Sequence, residues 1–168
     1  QIYMAQISNL DKKYDPAIEP IRALYDEYFG GGMNSIVFQE MRETRGLAYS
    51  AWASIMPPSY LKYPYVLRTQ IATQNDKMID AVTTFNDIIN NMPESEAAFK
   101  LAKDGLTNRL RTERIIKGDI IWSYINAQDL GQNVDPRIKL YNDIQNMSLK
   151  DIVDFQKQWV KGRTYVYC

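Results

Sequence analysis

The residues best equipped for chemistry stand close together. Arg42 and Arg45 precede Gly46, and Tyr49 follows it, within the stretch Tyr28 to Ser50, YFGGGMNSIVFQEMRETRGLAYS. A guanidinium presents a planar fork of N–H donors, and a phenol presents one O–H. Placed at one corner, these groups could hold a peptide carbonyl. Arg42 and Arg45 are three residues apart and fall on one side of a helix. Tyr49 lies four residues beyond Arg45, on the expected strand after Gly46. A plainer use exists for each: arginines in a last helical turn suit its dipole, and strand tyrosines pack in cores and interfaces. The second candidate is Gly30, Gly31 and Gly32. A glycine-rich turn feeding a helix N-terminus can bind phosphate through free backbone N–H groups. Here no lysine follows, and the run comes after a helix rather than a strand, so neither the P-loop nor the dinucleotide pattern is met. The expected role is a sharp helix-to-helix turn using positive φ values.

Other chemistries are excluded by residue type. The 168 residues contain no histidine. That removes imidazole metal ligands, imidazole acid–base catalysis and Ser–His or Cys–His nucleophile pairs. Ser35, Ser50 and Ser54 therefore have no base. Glu40 and Glu43 are expected to pair with the nearby arginines, and Asp76, Asp80, Asp87, Glu94 and Glu96 fall on caps and helix faces. The single cysteine, Cys168, cannot form an internal disulfide. Twenty basic and twenty acidic residues give zero formal net charge, which argues against a nucleic-acid or anionic-membrane footprint. No apolar run has the length of a transmembrane helix. Trp52, Trp122 and Trp159 are expected in the core or at an interface.

The elements that must position these residues follow from periodicity. Ile2 to Ile7 reads as a strand, followed by a turn at 9–14. Asp15 and Pro16 open a helix striped by Ile18, Ile21, Leu24, Tyr25 and Tyr28. Asn34 or Ser35 caps a second helix through about Glu43. Two strands follow, at 47–57 and 63–73, suited to antiparallel pairing. Five helices are then expected. The first carries Met78, Val82, Phe85 and Ile89, and the second opens at Pro93–Ser95. The third is capped by Asp119 and ended by Gly131, the fourth starts at Asp135–Pro136, and the fifth opens with the capping box Ser148/Asp151. RTYVYC returns to strand. This order predicts one α+β domain over residues 1–168, with a mostly antiparallel sheet and helices packed on one face. Both ends run in strand-like sequence, so the chain reads as part of a longer protein.

The phrase FGGGMNSIVFQEMRETRGLAYS resembles the pitrilysin/insulinase family of zinc metallopeptidases, which includes the mitochondrial processing peptidases. The likeness extends over the strands and long helices. It implies a clamshell of homologous α+β domains around a peptide, one domain bearing an inverted zinc motif, His-x-x-Glu-His. With no histidine, this chain resembles the non-catalytic domain of the C-terminal half. The resemblance implies no cofactor here, zinc in the catalytic domain of the parent, a zinc-bearing homologous domain as partner, and a peptide substrate. In that half an arginine and a tyrosine seven residues apart reach the substrate backbone; Arg42 and Tyr49 match, with Arg45 as the alternative. The chain alone is then expected to be inactive. Structural members of the family, such as core subunits of a respiratory complex, leave a scaffold reading open, and a phosphate-binding glycine turn is a third.

Overall fold

The structure, a computed structural model, describes residues 1–114 and 116–168. Four strands form one antiparallel sheet in the order β2-β3-β1-β4: β1 (Ile2–Lys13), β2 (Ser50–Met56), β3 (Pro64–Thr73) and β4 (Val166–Tyr167). Between β1 and β2 lie α1 (Glu19–Phe29) and a short α2 (Ile36–Phe38) that continues as a π-turn over Gln39–Thr44. After β3 come α3 (Met78–Asn90), α4 (Glu96–Thr112), α5 (Lys117–Asp129), α6 (Pro136–Ile144) and α7 (Leu149–Trp159). This is the α+β order the sequence predicts.

Register explains why one face is covered. Met4 and Ala51 both pair with Ile71, and Ser8 and Ile55 both pair with Leu67. These residues share a face, and all are buried. Against them pack Leu24, Tyr25 and Phe29 of α1, Phe85 of α3, Phe99 of α4, and Phe155 and Trp159 of α7. Gln6 and Thr69, polar groups inside this core, are paired. Thr69 Oγ1 donates to Gln6 Oε1 at 2.9 Å, and Gln6 Nε2 donates to Asn86 Oδ1 at 2.7 Å. Asn86 Nδ2 then reaches the Tyr167 hydroxyl at 3.2 Å, which ties β4 to α3. The opposite face, with Tyr3, Ile7 and Arg68, is open to solvent.

Several expectations are corrected. β1 does not turn after Ile7 but runs to Lys13, with a register shift between Asn9 and Lys13. Asn9 Oδ1 accepts from the Asp11 N–H at 2.8 Å, and Asp11 takes a left-handed φ of 53°, which aspartate tolerates. Asp15 Oδ1 accepts from the Ala17 N–H, but it caps a turn, and α1 starts only at Glu19. α5 starts at Lys117 ahead of Asp119, whose own N–H already bonds the Ile116 carbonyl. β2 starts at Ser50 instead of Leu47, so Tyr49 stands just before the strand. Of the three tryptophans, Trp159 is buried, Trp52 is half-buried with Arg68 over its ring, and Trp122 is exposed.

Candidate functional site

The glycine run is a packing device. Among Gly30, Gly31 and Gly32 none has a positive φ, so the expected turn conformation is not what requires them. Close approach is the requirement at Gly30. A Cβ there would sit 2.3 Å from the Ala53 carbonyl oxygen and 2.4 Å from its nitrogen. The C-terminal end of α1 thus lies directly on the backbone of β2. One at Gly31 would meet the Asp26 carbonyl oxygen at 2.8 Å. A cradle for phosphate is absent from this picture, because Gly30 and Gly31 already face protein backbone.

One and two turns further back on α1, side chains close the same edge of β2. Asp26 Oδ1 accepts from the Ile55 N–H at 2.8 Å, and Arg22 Nη1 donates to the Ile55 carbonyl at 3.0 Å. Arg22 Nη1 also pairs with Asp26 Oδ2 at 2.9 Å, and Nη2 with Glu19 Oε2 at 2.8 Å. Ser54 Oγ donates to Asp26 Oδ2 at 2.8 Å. Burial pushes the Asp26 carboxyl up to about 6, against the pull of Arg22 and of the Ile55 and Ser54 hydrogen bonds. The outward backbone of β2 at Ala53 and Ile55 is therefore occupied, and strand addition at these residues is blocked. Nothing in the sequence near β2 announces this. The only local signal is the Arg22–Asp26 spacing of four on α1.

With the helix end seated, the chain turns to the arginines. Ser35 Oγ donates to the Gly32 carbonyl at 2.6 Å and accepts from the Phe38 N–H, as the expected N-cap of α2. The following turn is π-wound, which alters the spacing. Arg45 comes beside Glu40, five residues earlier, with Nε–Oε2 at 3.5 Å. Arg42 stacks over the Phe38 ring at 5.1 Å and lies 3.7 Å from Glu43. Arg42 and Arg45 thus have separate partners instead of sharing one helix side. Met41 is buried, and its carbonyl accepts the N–H groups of both Leu47 (2.8 Å) and Ala48 (3.2 Å). Gly46 takes a φ of 58°, the left-handed value that favours glycine, with open space around it. Lys77 Nζ donates to the Gly46 carbonyl at 3.0 Å, and Thr73 Oγ1 donates to the Leu47 carbonyl. The Tyr49 N–H bonds the Ala72 carbonyl at 2.8 Å, and its phenol accepts from Gln74 Nε2 at 2.8 Å.

The result is a hydrogen-bonded corner that presents solvent-exposed donors. Tyr49 is 53% exposed, and the Arg42 side chain is 51% exposed. Arg45 is comparably open. Among the described residues Arg42 and Tyr49 share no hydrogen bond; the Tyr49 N–H is held by Ala72 of β3, and the Arg42 carbonyl accepts from the Gly46 N–H. Gln74, which orients the Tyr49 phenol, was not foreseen from sequence, since only the β2–β3 pairing brings it there. Among the described residues no group of three or more His, Cys, Asp or Glu could hold a metal ion.

The description "Peptidase M16 inactive domain" matches residues 15–106, more than half of the 168 residues. The chain belongs to this family. M16 inactive domains among solved structures share its fold. One from Pseudomonas fluorescens is 16% identical, superposes with a TM-score of 0.72, and aligns with 98% of this chain and 40% of its own. The inactive peptidase domain of a candidate zinc protease from Bordetella parapertussis is 12% identical with a TM-score of 0.75, covering 99% of this chain and 91% of that one. A chain of complex III2 from Candida albicans, bound to Inz-5, is 15% identical with a TM-score of 0.66, covering 98% and 41% respectively. No curated protein matches this M16 inactive domain in sequence. It therefore spans well under half the length of two of these three structural relatives and nearly all of the third.

Proposed function

We propose that this M16 inactive domain forms one wall of a peptide-binding chamber in a zinc metallopeptidase, and that Arg42 and Tyr49 hold the substrate backbone there. The observation that carries this reading is a corner fixed at Met41, Leu47, Ala48 and Tyr49 by backbone bonds, with the arginine and the phenol both left open to solvent. A peptide carbonyl under attack gains negative charge. A guanidinium or phenol aimed at it stabilises that charge without changing protonation. Arg45 is the alternative cation, held closer to its own carboxylate, Glu40. The zinc of such an enzyme belongs to the partner domain, since no imidazole exists here to bind it. An extended substrate would not add to β2 at Ala53–Ile55, where α1 occupies the edge; the open sheet face and the corner remain for contact.

The test is mutation in the full-length protein. Arg42→Ala should lower turnover roughly 10²–10³-fold, the range for losing one such donor. Tyr49→Phe should lower it by about tenfold, the equivalent of one hydrogen bond to a charged group. Zinc content should stay at the wild-type level in both. Wild-type turnover in both variants sinks the reading. The complex III likeness favours a second function, a scaffold domain without peptidase activity. Under that reading neither variant has any turnover to lose.

A further inference from the structure

We propose that α5, with the cavity beneath it and the neighbouring β2–β3 hairpin, is the docking surface for a second folded domain that presents an uncharged apolar face. α5 is unlike the other helices of eight residues or more: none of its residues is buried. Ile120, Ile121, Trp122, Tyr124 and Ile125 are all exposed, Trp122 at 65%, and together they span more than half of the helix circumference, with Asp119, Ser123 and Asn126 on the remaining side. A thirteen-residue helix is marginal in water by itself, and one whose broad apolar side meets no core of its own is expected to cover that side against other protein.

Beneath α5 a cavity of about 520 Å³ separates it from α1 and α6. Ala23, Tyr124, Leu130, Val134 and Leu140 contribute to its wall. The charged groups on the wall already neutralise one another. Arg22 pairs with Glu19 at 2.8 Å, and Arg137 with Asp135. The Tyr14 hydroxyl accepts from Gln132. A charged occupant would lose hydration and find no free counter-charge, so the group that enters is an aliphatic or aromatic side chain.

The apolar surface continues beyond the cavity. A Cβ at Gly131 would lie 3.9 Å from Leu61 Cδ1, so the hairpin carrying exposed Tyr60, Leu61 and Tyr63 adjoins the α5–α6 turn. With aromatic side chains at about 150–250 Å² each, hairpin and helix together expose roughly 1,000 Å² of apolar surface. Ordinary monomers leave patches of about 300–600 Å², while one side of a standard protein interface buries about 800 Å². A small molecule in the cavity would leave the outer face of α5 uncovered. The occupant is therefore domain-sized. In the Pseudomonas and Candida relatives the same fold makes up 40% and 41% of longer chains, which hold further protein beside it. This surface lies at the Pro57 end of β2, about 26 Å along the chain from Tyr49 at the strand rise, and the proposal does not depend on the substrate-contact reading.

The experiment uses the full-length protein with the photo-crosslinking residue benzoylphenylalanine at Trp122, and at Lys150 on α7 as an exposed control. Peptide mapping should place the Trp122 crosslinks on an apolar segment outside residues 1–168, at least about tenfold above the Lys150 yield. Crosslinks confined to residues 1–168, to the same surface of a second copy, or no stronger than the control would overturn the proposal. Independently, Ile121→Ser with Trp122→Ser should lower the unfolding midpoint of the full-length protein by several degrees, although both side chains are solvent-exposed in this domain. An unchanged midpoint counts against it.

Discussion

Gly30 and Gly32 stand two positions apart in one glycine run, yet the molecule treats them differently. A methyl group at Gly30 drives into the Ala53 backbone at 2.3 Å, and backbone cannot swing aside as a long side chain can. At Gly32 the nearest atom is the end of the Glu27 side chain at 4.0 Å. Gly30→Ala should therefore cost at least the 1–3 kcal/mol typical of overpacking, while Gly32→Ala should stay within about 0.5 kcal/mol of wild type. Denaturant midpoints of the two variants measure this directly, and equal midpoints would contradict the packing role. Gly46 is a third case, where conformation and not space decides: with φ at 58°, Gly46→Ala should cost about 1–2 kcal/mol. At this scale the spacing in the sequence singles out the glycines, Arg42 and Tyr49 as candidates. It did not show why, because the atom that excludes a Cβ at Gly30 belongs to a strand 23 residues away in the chain.

The elements were largely legible, since each carries its own periodicity and caps. Ser35, Ser95 and Ser148 begin helices as expected. What stayed hidden was how elements meet. The contact of α1 with the edge of β2 through Arg22 and Asp26 depends on tertiary geometry, as does the π-winding that separates Arg42 from Arg45. The α1–β2 contact makes a pH-dependent prediction. The Asp26 carboxyl titrates at about 6 in the folded chain, against 3.8 for the free side chain, because burial disfavours its charge. The folded state thus binds this proton more tightly than the unfolded state. Its contribution to stability is fully present below about pH 4 and is lost as pH rises through about 6. The size is on the order of 1–3 kcal/mol. Asp26→Asn should flatten the stability profile between pH 4 and 6.5, measured by urea unfolding at each pH. A profile in that window identical to wild type would show that another group carries the dependence.

At the scale of the whole molecule, residue type bears on what an M16 inactive domain can do. A domain without histidine has neither an imidazole metal ligand nor an imidazole base, and its corner offers hydrogen-bond donors and guanidinium groups that Glu40 and Glu43 accompany. Such donors stabilise a developing oxyanion but cannot generate a nucleophile. A mechanism divided in this way loses everything when one side is removed, because the attacking water and the stabilising donors act on the same carbonyl. The 168-residue chain alone should therefore hydrolyse no peptide, whatever the substrate. The full-length protein should cleave peptides in a manner abolished by a zinc chelator and restored by zinc. Fluorogenic peptide assays on both proteins separate the possibilities. Cleavage by the domain alone would mean that a nucleophile exists outside the corner and that the division of labour is wrong. Absence of cleavage by both, with the full-length protein folded, would favour the scaffold reading instead.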